Sequence, residues 1–264
     1  PARVLDIVTK QELSWANESQ EKFRRNGKEV DRERVTALAG VMSGRKGLPL
    51  IEDQVGFFER CMTLSGKEDG EGWKVLESPC PDVKMWLQYF PPEKGERSVA
   101  TGKAVGVVDG SAEEVAAWAY TYCSNERMRM HREEGHPARL ELRELARENE
   151  STMATVKRFP IFLRNREFVF RQVWRTDEGK VFIAFESVDD EVDYGTKLRK
   201  VRALTRGFYR AEQIADRGKV HQCRLTLVQH ADFGGNIPTW VVNKFVPSAL
   251  SVVQEAIDEF RQDN

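Results

Sequence analysis

Gln229 to Pro247 reads QHADFGGNIPTWVVNKFVP, and the second half of this stretch opens a run of helical periodicity that continues to Gln262. Pro238 suits a first helical turn, where a missing N–H has no partner to lose. From there Val242, Val246, Ala249, Val253, Ala256 and Phe260 fall on one stripe, with Val241, Phe245 and Val252 on a second stripe beside it. An apolar face this broad suits a helix laid across a curved sheet and buried on more than one side. Pro247 removes one backbone bond and predicts a kink.

Upstream, the chain alternates strand-like runs with turns. Phe168–Arg175 and Val181–Ser187 flank TDEGK, where Gly179 supplies a positive φ. Arg199–Arg210 and Val220–His230 flank ADRG, and Arg139–Leu145 and Thr152–Arg158 flank RENE. Neighbours joined by short turns predict antiparallel pairing. Three earlier runs, Trp73–Leu76, Val83–Phe90 and Ser98–Val108, are punctuated by Pro79, Pro81, Pro91, Pro92 and Gly95. Ser111 with Glu114 forms a capping box ahead of Val115, Trp118 and Tyr122, so a helix begins near Ala112, and the polar helical stretch NERMRMHREEG follows. Before the strands, Ile51, Val55, Phe58 and Met62 repeat as an amphipathic helix. The order is helix, three strands, two helices, about six strands and a long helix. This is an α+β arrangement of one antiparallel sheet, of about nine strands, around one helix.

The first 48 residues read as a helical extension to a main domain at 49–264. Thr9 with Glu12 makes a capping box before Leu13, Ala16 and Phe23. A second helix from Asp31 carries Val35, Leu38, Val41 and Met42 on one face, and SGRKGLP at Ser43–Pro49 marks the boundary. Its stripes serve equally to pack on the main domain or on a missing neighbour. The start PARVLDIVTK, without Met or a leader pattern, suggests a piece of a longer protein.

Bulk chemistry narrows the function. With 41 basic against 42 acidic side chains, the chain lacks the basic excess of a nucleic-acid binder. No apolar run is long enough for a membrane span. Cys61, Cys80, Cys123 and Cys223 are scattered, which points to reduced thiols in the cytosol. His131 and His136 in HREEGH lack the spacing that puts two metal ligands on one helical face, so this segment reads as a solvated helix end and no metal site is expected. Arg127, Arg129, Arg132, Arg139 and Arg143 are interleaved with glutamates and read as a solvated face. Nucleophile elbows, phosphate loops and dinucleotide fingerprints are missing.

Three strings carry a family resemblance: FPIFLRNREFVF at Phe159–Phe170, GKVFIAFESVDD at Gly179–Asp190, and the opening QHADFGGNIPTWVVNKFVP. Together they resemble the START family of lipid-transfer domains over roughly residues 50 to 262, with Glu167 where the family carries Asp. The resemblance implies a helix-grip fold: a curved sheet closed over an apolar tunnel by the C-terminal helix. It implies one lipid bound without cofactor or catalysis, for transfer between membranes or for sensing. It also implies a cytoplasmic protein that touches membrane surfaces transiently. The alternatives are a lipid-regulated or partner-binding module of a larger protein, and a hydrolase or cyclase on the same fold. The last needs titratable groups converging in the cavity, and the inward faces read here show almost none.

Alternation assigns the tunnel wall. Phe168, Phe170, Gln172 and Trp174 share one face of their strand, and Val169, Arg171, Val173 and Arg175 the other; placing the charged set in solvent turns the aromatics inward. By resemblance Gln172 stands where sterol-binding members carry an Arg, and Met153 where its acidic partner would be. An amide there predicts a tunnel whose polar end meets a hydroxyl, ester or ceramide headgroup, with the lipid class (phospholipid, sterol or ceramide) left open. Ala203, Thr205 and Gly207 read either as a small-residue wall or as a strand bent for backbone reasons. Resemblance adds Trp240 and Asn243 at the start of the last helix, with Asn243 alternatively capping or bonding backbone near Gly234 and Gly235, and the second stripe adds Val241 and Phe245. It makes VDDEVDYGTK, with Asp189, Asp190, Tyr194 and Gly195, either a lid or an ordinary loop.

Overall fold

The computed structural model describes residues 24–45, 50–64, 72–90, 99–142, 149–159, 163–234 and 246–262. Thr9, Glu12, Trp240, Val241, Asn243 and Phe245 lie outside them. A helix α1 spans 24–44. It is followed by α2 (Glu52–Met62), strands β1 (Lys74–Leu76), β2 (Val83–Phe90) and β3 (Val99–Val108), then α3 (Ala112–Tyr120) and α4 (Asn125–Glu133). Seven strands come next: β4 (Ala138–Leu142), β5 (Glu150–Lys157), β6 (Asn165–Asp177), β7 (Lys180–Ser187), β8 (Lys200–Arg202), β9 (Leu204–Gln213) and β10 (Cys223–Asp232). Residues 246–250 are helical (α5), and after a turn at Ser251 the helix continues as α6 (Val252–Phe260).

The strands form one curved, open sheet in the order β1-β2-β3-β10-β9-β7-β6-β5-β4. Pairing along this path is antiparallel, and Gly179 takes φ 77° at the β6–β7 turn. β8 departs from the expected pattern by running parallel to β6. β7 pairs with Phe170–Asp177 and leaves the start of β6 uncovered; β8 pairs with Asn165–Glu167 there and satisfies that exposed edge. The capping box of α3 forms as read: Glu114 N donates to Ser111 Oγ, and Ser111 N donates to the Glu114 carboxylate.

The concave face is closed by the C-terminal helix. Leu250, Val253 and Ile257 pack on β3 at positions where a side chain would not fit. A Cβ on Gly106 would lie 2.9 Å from both Ile257 Cδ1 and Val253 Cγ1, and one on Gly102 would lie 3.0 Å from Leu250 Cδ1. The glycines at i and i+4 of β3 share one strand face and set how closely helix and sheet approach.

The convex face departs from the expectation that it would be solvated. Val169 and Val173 are fully buried. Helix α2 covers this face, with Phe57, Phe58 and Cys61 packed on Val173 and Ala184. Arg171 lies over the Phe57 ring and pairs with Asp53 and Glu150, while Arg175 lies over Phe58. The arginine stems serve as apolar cover with their heads turned to carboxylates or water. The buried stripe of α2 is also rotated from the one periodicity suggested. Ile51 and Val55 are exposed, while Gln54 is buried because its amide bonds to Asn149 and Glu150.

Helix α1 joins the same core. Ala39 and Met42 are buried in the main cluster, and Arg34 pairs with Glu141 of β4. Asp31 caps α4 from outside that helix, its carboxylate accepting from Asn125 N (2.8 Å) and Glu126 N (2.9 Å). The N-terminal segment thereby fixes where α4 begins.

Candidate functional site

Between α6 and the sheet lies a cavity of about 170 Å³. One end is a file of aromatic rings. Tyr122 meets Phe170 edge-on at 5.3 Å between centroids, Phe170 meets Phe185 at 6.2 Å, and Phe185 meets Tyr209 at 5.5 Å. Phe233 joins this wall through Phe168 at 6.1 Å and Phe159 at 5.8 Å. Edge and tilted contacts of this kind each add about 0.5–1.5 kcal/mol beyond the area they bury. Burial pushes the Tyr209 phenol well above its ordinary pKa and keeps it neutral.

The alternation read from β6 places Phe168, Phe170 and Gln172 on the cavity wall, and Thr205 joins them from β9. Met153, Trp174 and Ala203 are buried without reaching it. For Met153 the reason is register. Ser151 stands opposite Gln172, while Met153 stands opposite Phe170 and lies 3.8 Å from the Cys123 sulfur. The presumed partner of Gln172 was therefore two residues out of place. The Gln172 amide donates to Ser151 Oγ (2.9 Å) and Tyr120 O (2.7 Å), which commits both its hydrogens to the protein. Ala203 instead donates its N–H to Glu167 O at the β8–β9 junction.

Gly207 does not leave space for a ligand. A Cβ there would come within 2.2 Å of Val228 O and 2.6 Å of Phe185 Cζ. The room its missing side chain leaves is filled by the Phe185 ring. Asp189, Asp190, Tyr194 and Gly195 lie beside β8, where Arg202 donates to Val188 O and Asp190 O and Lys200 sits over the Tyr194 ring. That cluster centres on buried Glu167, on the face of β6 opposite Phe168, and none of the four residues lines the cavity.

The other end of the cavity is polar, and it overturns two sequence readings. His131 is buried, with Nε2 3.0 Å from Thr155 Oγ1, and its ring lies 4.7 Å from that of His136. Thr155 donates to Ala138 O, so it accepts from His131. His136 Nδ1 accepts from Arg158 N at 3.1 Å, leaving its Nε2–H for Glu134. Both rings are thus held neutral. Burial lowers His131 to about 3 and His136 to about 4, with Arg139 and Lys157 adding to the effect. These histidines form a cavity wall and not a solvated helix end.

Arg127 is likewise buried at 5% exposure. Ser124 caps α4 and Asp31 anchors its first turn, so the third helical residue, Arg127, is aimed back at α3. Its guanidinium carbon lies 4.6 Å from the Trp118 ring centroid and 5.4 Å from that of Tyr122. Arg139, from β4, lies 4.1 Å from the Tyr122 ring. From α6, Glu255 approaches Arg127 Nε at 3.8 Å. The signal that could have found Arg127 was short: an aromatic at 118 and another at 122, then a cap and an arginine one turn later. Among the described residues there is no group of three or more possible metal ligands, and no helix is long and apolar enough to cross a membrane.

The START domain family model matches residues 62–263. The lipid transfer and protein localization domain of human StarD13 matches with a TM-score of 0.56 at 18% identity, covering 81% of this chain and 100% of that domain. Human StAR-related lipid transfer protein 5 gives 0.58 at 18% identity, covering 78% of this chain and 95% of its own. Human STARD10 gives 0.53 at 20% identity, covering 82% and 83%. At these identities the likeness is one of fold. No curated protein sequence matches this chain.

Proposed function

This chain belongs to the START domain family, and from that premise we propose that it holds one lipid molecule in the cavity under α6, without catalysis, for transfer between membranes or for sensing. The observation that carries the reading is the aromatic wall. Phe168, Phe170, Phe185 and Phe233 present their faces or edges to an interior space and not only to each other. Such a wall has no role in polar chemistry. It stabilises an alkyl chain by about 0.8 kcal/mol for each methylene removed from water. At about 170 Å³ the cavity is smaller than the roughly 300–1,000 Å³ of small-molecule sites, so uptake of a lipid requires a wall to move.

Residues 49–264 form the lipid-binding domain in this reading, and 1–48 an extension whose helix α1 steadies α4. The test is native mass spectrometry of the purified chain after exposure to mixed-lipid vesicles, followed by extraction and identification of what is bound. One lipid per chain is the expected result. A chain that stays empty, and transfers no labelled lipid between donor and acceptor vesicles, refutes the reading and leaves a partner-binding scaffold.

A further inference from the structure

The lipid reading leaves the polar end of the cavity unexplained. Four cationic side chains border it, Arg127, Arg139, Lys157 and Arg158, against two carboxylates, Glu134 and Glu255. Glu134 is 60% exposed and turned to water and His136, while Glu255 is engaged with Arg127 and Ser251. Among the described residues, no carboxylate lies within 4 Å of Arg139. Its Nη1 reaches only two backbone oxygens, those of Tyr122 and Arg127, at 3.4 Å each. The Nε–H groups of both Arg127 and Arg139 are buried without a hydrogen-bond acceptor.

A guanidinium cannot shed its charge, and a buried charged donor left unmatched costs more than a neutral one. The two guanidiniums flank one ring, Tyr122, that faces the cavity. The adjoining histidines are neutral, so they add polar surface without competing for an anion. Arg127 donates from Nη1 to Trp118 O and Ala119 O and meets Glu255 at 3.8 Å, so of the two arginines it is Arg139 that has no carboxylate partner among the described residues.

We infer that Arg139, with Arg127, forms a subsite for the oxyanion headgroup of a lipid, a carboxylate or a phosphate, and selects acidic lipids over neutral ones. The inference rests on the lipid-binding reading and names its ligand class. A planar fork donates two parallel bonds to either group, whereas a sterol or ceramide hydroxyl leaves the charge unanswered. Selectivity here is the penalty on the neutral ligand as much as the gain on the charged one.

The experiment compares lipids that share one oleoyl chain: oleate, oleoyl lysophosphatidate and the neutral monoolein. Each competes with a fluorescent fatty-acid analogue for delipidated chain, wild type or Arg139→Gln. The wild type should bind at least one of the two acids ten-fold or more tighter than monoolein, and the better acid identifies the headgroup. Arg139→Gln should lose that preference, its affinity for the better acid falling ten-fold or more toward that for monoolein. Equal affinity for all three lipids in the wild type overturns the subsite and leaves lipid binding intact, and it needs no variant to fold. A variant that weakens all three alike also overturns it. Failure to bind any of the three refutes both readings. Millimolar inorganic phosphate that raises the melting temperature as much as lysophosphatidate would assign the cluster to a free anion and overturn the headgroup inference.

Discussion

Among the described residues, two side chains held well below their ordinary pKa, His131 and His136, couple the stability of the fold to acidification from pH 7.5 to 5.0. In the unfolded chain a histidine titrates near pH 6.5. In the native state His131 is lowered to about 3 and His136 to about 4, because burial, Arg139 and Lys157 all oppose a positive charge there. Geometry agrees: His136 Nδ1 accepts the Arg158 N–H, which a protonated ring could not do. Glu134, 3.1 Å from His136, would favour the charged ring, but at 60% exposure its field is screened by water. Over this pH range the unfolded state therefore binds protons that the native state refuses, and stability falls as pH falls. The contribution is fully present above pH 6.5 and is lost progressively down to the native values. Between pH 7.5 and 5.0 each histidine removes about 2 kcal/mol, or about 4 kcal/mol for the pair if they act independently.

The assay is urea unfolding followed by tryptophan fluorescence at the two pH values, on the wild type and on His131→Gln, whose amide can still donate to Thr155. Wild-type stability should drop by about 4 kcal/mol and that of the variant by about 2 kcal/mol. Carboxylates held low by arginine or lysine, such as Glu126 and Glu212, contribute only at lower pH. Equal losses in the two proteins would refute the account of His131 as a buried neutral group. So would a wild-type loss below about 1 kcal/mol.

Gly106→Ala places a methyl 2.9 Å from Val253 and Ile257 and should destabilise by about 1–3 kcal/mol, read as a lower urea midpoint. Gly207→Ala, whose methyl would meet Val228 O at 2.2 Å, should cost more than Gly106→Ala in the same assay, since backbone cannot step aside as a side chain can. Asp31→Ala removes a carboxylate bonded to two backbone N–H groups of α4 and should lower stability by about 1 kcal/mol in thermal or urea unfolding. Glu167→Gln leaves Lys200 and Arg202 without their buried acid and should cost about 2 kcal/mol, with faster proteolysis of the 188–199 loop as a second readout.

How much of this was legible depends on how local its cause is. The Ser111–Glu114 cap and the Gly179 turn were readable because each is decided within four residues, and the inward face of β6 followed from strict alternation. Faces failed where another element supplied the neighbour. Val169 and Val173 share a strand face with Arg171 and Arg175, so charge pointed to water, and nothing in that segment shows that α2 covers it. Gln54 looked polar and is buried, because its partners, Asn149 and Glu150, are almost a hundred residues away. The Met153 pairing failed by two residues, the smallest slip that keeps side chains on the correct face and still changes every partner.

The cationic end of the cavity was hidden by a different effect. Along the chain, arginines 127, 129, 132, 139 and 143 alternate with glutamates, and a balanced stretch reads as solvated. In space that balance is redistributed. Glu126 is taken by Arg129, with Arg24 and Lys28 near, and Glu133 is also taken by Arg129. Glu141, two residues from Arg139, is taken by Arg34 from helix α1. These three acids answer cations outside the cavity, and Arg139 is left facing inward. The helix α1 that precedes the family's matched region thus bears directly on the cavity. By drawing Glu141 outward it leaves Arg139 without a carboxylate among the described residues, and by capping α4 through Asp31 it sets where Arg127 meets Glu255. If so, Arg34→Ala should free Glu141 to compete for Arg139 and weaken binding of the acidic lipid more than that of monoolein. Equal effects on both would show that Glu141 cannot reach Arg139 and that the charge excess is set by the strand alone.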